Sequence, residues 1–185
     1  VLPKAKVIFT TGSLPGFHQI IPNQTPVVIS LERPTLQKSI KPYRWAIKHA
    51  HTLILDRHSF YFIFKKEVKV EIIQSVLANK SLSINYLIVT LGEQGVLGYS
   101  VDQKEITYLN AHKIQPVDTT GAGDIFNAAF INSFYFQKMP FKDSLSFSNA
   151  IAAAGCEEPG TLLSRKAIER GNSLYREKGG AKFEK

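Results

Sequence analysis

The residues of this chain best suited to chemistry lie between Val117 and Ile131, where V-D-T-T-G-A-G-D-I-F-N-A-A-F-I sets three small residues before a carboxylate and an apolar run. Gly121, Ala122 and Gly123 let backbone N–H groups approach an anion, and the run from Ile125 onward predicts the helix that those groups open. A phosphate could be seated there. Asp124 would repel that phosphate, so its use lies elsewhere. A carboxylate at this place can take the proton of an attacking hydroxyl while the N–H groups absorb charge on a phosphoryl group in transfer. The same letters admit a plainer account, in which Thr119, Thr120 and Asp124 only cap a core helix. Spacing alone leaves the two accounts level.

Taken whole, the string resembles the C-terminal signature of the ribokinase, or pfkB-type, family of sugar and nucleoside kinases, gapless from Asp118 through Ile131. The resemblance implies that Asp118 helps to hold a monovalent cation, that the backbone of Gly121, Ala122 and Gly123 forms an anion hole, and that Asp124 is the catalytic base. It also implies ATP and Mg2+ as cofactors, K+ as the monovalent ion, and a sugar or nucleoside as acceptor.

Other classes are set aside by composition and pattern. With 185 residues and 44% hydrophobic content the chain can bury its own core, and its size predicts one domain over residues 1–185. No apolar run approaches the roughly 20 residues that span a bilayer, and Val1 to Lys6 do not form a secretion signal, so the expectation is a cytoplasmic protein without a membrane partner. The single cysteine, Cys156, excludes an internal disulfide and a thiolate cluster and is expected to be a small buried helix residue. The net charge of +8 is spread along the chain rather than gathered into a stripe, which favours a solvated surface over nucleic-acid binding.

The elements that must carry the motif follow from periodicity. Strands are predicted at Lys6–Thr11, Pro26–Leu31, Thr52–Asp56, Asn85–Leu91 and Val96–Ser100, with further runs at Glu105–Asn110 and His112–Val117. Helices are predicted at Leu36–His51, Glu67–Ala78, from Ile125, at Phe141–Cys156 and at Ser164–Arg176, with Glu177–Lys185 a charged, frayed tail. Alternation of strand and helix gives an α/β fold, a mostly parallel twisted sheet with helices on both faces. By resemblance it is the three-layer ribokinase-like fold.

Gly12 to Pro15 (G-S-L-P) resembles a loop from the middle of that family's chains, so the N-terminal part, with its lid and most sugar contacts, is expected to be missing. Apolar surface near Lys6–Thr11 and Pro26–Leu31 would then be uncovered, predicting self-association, most simply as a homo-oligomer.

Two further stretches gain meaning from the resemblance. Thr90-Leu91-Gly92-Glu93-Gln94-Gly95 reads alone as a hairpin turn; beside the first motif it resembles the family's T-x-G-x-x-G, which implies that Thr90, Gly92 and Gly95 line the nucleotide. Asn149 matches the position at the nucleotide's base end. The loop after it resembles the one that offers oxygen atoms to the monovalent cation, giving Asp118, Thr120, Gly155, Glu158, Gly160 and Ser164 as candidates. After the third strand the family's N-x-x-E is replaced by Asp56-Arg57-His58-Ser59, which removes the expected glutamate and leaves no protein ligand assigned to magnesium. His58 is expected to be a loop or surface residue. Leu31 to Pro34 (L-E-R-P) resembles the ketohexokinase and sulfofructose kinase branches.

Two functions stay open on the sequence: a kinase that uses Asp124 as base, or a nucleotide-binding or interaction remnant that no longer catalyses.

Overall fold

The computed structural model describes residues 5–11, 25–32, 41–78, 82 and 84–180. The loop at Gly12–Gly16, the residues Arg33 and Pro34, the first turn expected at 36–40 and the tail from Ala181 lie outside those residues. The described chain divides into two compact units, one formed by the residues up to Leu91 with Leu97–Thr107, the other by Gly92–Val96 with Tyr108–Lys185.

The first unit is built on strands β1 (Ile8–Thr10), β2 (Val27–Leu31), β3 (Thr52–Asp56) and β4 (Tyr86–Thr90), which lie side by side in chain order and pair in parallel. β5 (Val96–Ser100) and β6 (Glu105–Leu109) complete a six-stranded sheet in the order β1-β2-β3-β4-β5-β6. The short turn at Val101–Lys104 joins β5 to β6, a link that only antiparallel neighbours can make. Val, Ile and Leu dominate the central strands because β-branched and large apolar side chains fit a pleated surface buried on two sides. All five residues of β2 are buried, as are Leu87 to Val89 of β4, so both alternating sets are covered.

One set, including Ile29, Leu31, Leu53, Leu55, Leu87 and Val89, packs with Phe60 and Ile73. Those two side chains come from helices α2 (Arg57–Phe64) and α3 (Val70–Leu77), which follow the short helix α1 (Arg44–His49). Each such side chain stabilises the unit by about 1.5–3 kcal/mol.

In this first unit the sequence expectations are trimmed rather than overturned, with two exceptions. α2 was not foreseen: Asp56 caps it by accepting the Ser59 N–H, and an apolar F-Y-F-I-F run reads as strand or helix until its cap is recognised. His58 is therefore an exposed helix residue. The second exception is β2, expected to be uncovered. It is buried throughout, and among the described residues of this region the exposed large apolar side chain is Phe9 on the edge strand β1.

The second unit is helical. α4 (Ala122–Phe130) runs into a π-helical segment (Ile131–Phe136), and then come α5 (Phe141–Gly155) and α6 (Arg165–Glu177). Ile125, Phe147, Ile151, Leu174 and Tyr175 form the core of the three helices. Small residues let them approach closely. A Cβ on Gly155 would come 2.6 Å from the Ile125 Cδ1, and one on Gly171 would come 2.9 Å from the Ile151 Cα. Ala150 and Ala154 are buried on the same helix, as its small-residue face predicts, and Cys156 is a buried cap residue.

The His112–Val117 run is not a strand: residues 111–116 have no regular structure. The tail is also shorter than expected, because α6 extends to Glu177 and the N–H groups of Gly179 and Gly180 close its end on Arg176 and Tyr175.

Candidate functional site

Gly121 stands at the N-cap of α4 with φ +78°, a conformation that favours glycine, and no side chain caps the helix. Thr119 and Thr120 therefore do not play the capping part open to them. The Ala122 N–H reaches the Thr119 carbonyl at 3.2 Å and the Ile125 N–H the Gly121 carbonyl at 2.9 Å. Between them, the N–H groups of Gly123 and Asp124 have no backbone or side-chain acceptor among the described residues. Both residues are exposed, and Asp124 is the acid of the first turn. Free N–H groups at the positive end of a helix, with an accessible carboxylate beside them, can receive an anion and a proton together.

The loop that presents this helix is organised by Asp118. Its Oδ1 accepts the Thr120 N–H at 2.9 Å and its Oδ2 the Gly160 N–H at 3.0 Å. These bonds, the Thr120 backbone first, then the Thr120 hydroxyl and the Gly160 backbone, hold its carboxyl below the usual carboxylate pKa. The Val117 and Asp118 N–H groups in turn reach the Cys156 carbonyl at 2.7 and 3.2 Å, tying the loop to the end of α5. Thr161 lies over Gly121, where a Cβ would meet its side chain at 3.2 Å.

Three of the cation candidates, Asp118, Thr120 and Gly160, are thus brought together. Gly155 and Glu158 share a 3.4 Å backbone bond in the same loop. Ser164 is occupied differently, its hydroxyl accepting the Ala167 N–H at 3.0 Å as the cap of α6. No group of three or more His, Cys, Asp or Glu gathers among the described residues. The donors on hand are one carboxylate and loop carbonyls, a set that suits a hard cation of low charge.

A third feature links two nucleotide candidates. The Gly92–Gln94 3₁₀ turn ends at Gly95, whose φ is +103° and whose Cβ, were there one, would sit 2.0 Å from the Leu109 carbonyl oxygen and 2.6 Å from the Ala111 nitrogen. Only glycine fits. The Asn149 Nδ2 of α5 donates to the carbonyl of Asn110, in the middle of that stretch, at 2.9 Å. Gly95 and Asn149 therefore meet on one short segment, Leu109–Ala111. Gly92 takes φ +60° with open space around it.

Thr90 belongs to the first unit, at the end of β4 in register with Asp56, and its hydroxyl donates to the Leu55 carbonyl at 3.4 Å.

Sequence reasoning missed two residues of this region. Lys178 donates its Nζ to the same Asn110 carbonyl at 2.8 Å, although its place in a charged tail gave no signal. His112 is buried with its Nε2 lacking a partner among the described residues, and burial, with Lys178 and Arg170 adding to it against Glu177, lowers its pKa.

Comparison with known proteins places the chain in a family. The family model described as pfkB family carbohydrate kinase matches residues 17–168. A ribokinase of Schizosaccharomyces pombe is 39% identical over 90 residues, 47% of this chain and 28% of that protein. Among solved structures, Arabidopsis thaliana ribokinase complexed with ribose and ATP aligns with TM-score 0.66 at 21% identity, covering 82% of this chain and 48% of that one. Escherichia coli phosphofructokinase-2 in complex with potassium aligns with TM-score 0.66 at 16% identity, covering 83% and 47%. The chain spans about half the length of these solved structures.

Proposed function

The chain belongs to the pfkB family of carbohydrate kinases, and from that membership we propose that it transfers the γ-phosphoryl group of ATP to a hydroxyl of a sugar or nucleoside, with Asp124 as general base. The observation that carries this reading is the start of α4, where the Gly123 and Asp124 N–H groups are uncapped and the Asp124 carboxylate is exposed beside them. Glycine in place of a capping side chain costs only about a few tenths of a kcal/mol. Leaving the position to Gly121 suits a helix whose N-terminus must stay open.

In the proposed step the acceptor oxygen attacks the γ-phosphorus, the bond to the ADP oxygen breaks, and Asp124 takes the hydroxyl proton. The Gly121–Gly123 backbone meets the negative charge on the moving group, so catalysis rests on position and charge stabilisation. Gly92 and Gly95, with Thr90 from the strand before them, are assigned to the nucleotide, and Asn149 to its base end. Asp118, Thr120 and Gly160, with the carbonyls of Gly155 and Glu158, are assigned to a monovalent cation, which would add positive charge near the transferred group. Magnesium is assigned to the substrate phosphates and water, as this ion commonly binds.

The test is acceptor-dependent ADP formation from ATP over a panel of sugars and nucleosides, with and without K+. Activity with at least one acceptor is expected. ADP formation independent of every acceptor would point away from a kinase.

A further inference from the structure

Two donors share the Asn110 carbonyl, the amide of Asn149 at 2.9 Å and the ammonium of Lys178 at 2.8 Å. A carbonyl oxygen has two lone pairs, so this arrangement fills it and fixes its direction. The Lys178 bond is charge-assisted and the stronger of the two in kind. Its ammonium is partly desolvated there, which lowers its pKa.

Lys178 is not a swinging side chain on a loose tail. Its own N–H reaches the Tyr175 carbonyl at 3.3 Å, and the Gly179 and Gly180 N–H groups close the helix end behind it. Gly95 abuts the same Leu109–Ala111 backbone with no room for a methyl group. Any movement of the Asn110 peptide therefore reaches both Asn149 and the glycine turn.

We propose that Lys178 is a positioning residue for nucleotide binding, acting through the Asn110 carbonyl on the Asn149 amide and the Gly92–Gly95 turn; this rests on the reading above that those residues face the nucleotide. With Nδ2 committed to Asn110, Asn149 is held with Oδ1 turned away from that carbonyl as its remaining acceptor. Without Lys178 the carbonyl has a single neutral donor, and the Asn110 peptide, with the amide bonded to it, is held less firmly in place.

Titration calorimetry of the full chain with Mg·ATP tests this. Lys178→Met should raise the dissociation constant about tenfold, the loss expected when one hydrogen bond from a correctly held Asn149 to the nucleotide is forfeited, and Lys178→Arg should restore it, with Lys178→Gln between them. Where turnover is measured, KM for ATP should rise while kcat stays level. A residue that merely ties down the end of α6 would change the melting temperature and leave affinity alone. If Lys178→Met fails to fold, Lys178→Gln decides by the same criterion. Asn149→Ala separates the two levels of the argument. If it weakens ATP binding while the Lys178 variants bind like the wild type, the role of Lys178 is overturned and the nucleotide reading stands. If Asn149→Ala binds ATP like the wild type, or the wild type takes up no ATP, both fall.

Discussion

The Oδ2 of Asp118 accepts the Gly160 N–H at 3.0 Å across 42 positions of sequence, and its Oδ1 accepts the Thr120 N–H at 2.9 Å. One carboxylate thereby joins the loop that opens α4 to the loop that leaves α5. The open helix end keeps its place through this link rather than through a cap of its own.

Removing one of these acceptors should loosen both loops. In Asp118→Asn, one oxygen remains for two donors, so amide hydrogen exchange at Gly160 or Thr120 should quicken while core helix amides keep their protection. The same group predicts a pH dependence. Its folded pKa lies below the ordinary 3.8, so its stabilising effect is full above that pH and is lost as pH falls through the lowered value. Acid unfolding monitored by circular dichroism should lose part of its slope below pH 3.8 in the variant. An identical acid limb in both proteins would contradict this.

Gly95→Ala should lower stability by about 2–4 kcal/mol, combining an unfavourable backbone conformation with a clash against the Leu109 carbonyl. Urea denaturation measures it. Gly92→Ala, with open space and φ +60°, should cost about 1–2 kcal/mol. Equal losses at the two positions would mean that the packing of Gly95 on Leu109–Ala111 contributes nothing.

His112 should make the fold sensitive to mild acid. Burial holds its folded pKa below the usual 6.5, so its contribution is full above pH 6.5 and declines as the pH falls toward the folded value, where protons enter the unfolded state more readily. His112→Met should lessen the decline in thermal melts taken between pH 7 and pH 5, leaving the part due to His51, whose pKa burial also lowers. A wild-type melting temperature constant over that range would exclude the effect.

Gly123 is exposed and, unlike Gly121, has no positive φ. Gly123→Val should therefore fold normally yet crowd the anion approach, weakening ATP binding about tenfold or more through loss of N–H contacts to phosphate and slowing turnover. Unchanged affinity in a folded variant would place the phosphates elsewhere.

Much of this was legible in the residues. The motif from Asp118 to Ile131 is contiguous, so one stretch carried glycines, carboxylate and helix together, and β3 and β5 fell where apolar runs end at turn residues. What could not be read were contacts made across the chain. Lys178 sits in a charged tail and is explained only by a carbonyl 68 positions earlier. The part of Asp118 in reaching Gly160 depends on two loops meeting, which no local pattern encodes. Phe60 to Phe64 could have been either strand or helix, and the Asp56 cap decided it.

The central claim is that Asp124 accepts the proton of the acceptor hydroxyl, and Asp124→Asn tests it directly, in this chain or in one extended to the length of its solved relatives. Asparagine keeps the size and helix position but cannot take the proton. Phosphoryl transfer from ATP, measured beside the wild type with every acceptor that the wild type uses, should fall by about a hundredfold to ten-thousandfold. ATP affinity should be unchanged or improved, because a negative group near the phosphates is gone. Wild-type turnover in Asp124→Asn would contradict the account and leave Asp124 as an exposed acid in the first turn of a packing helix.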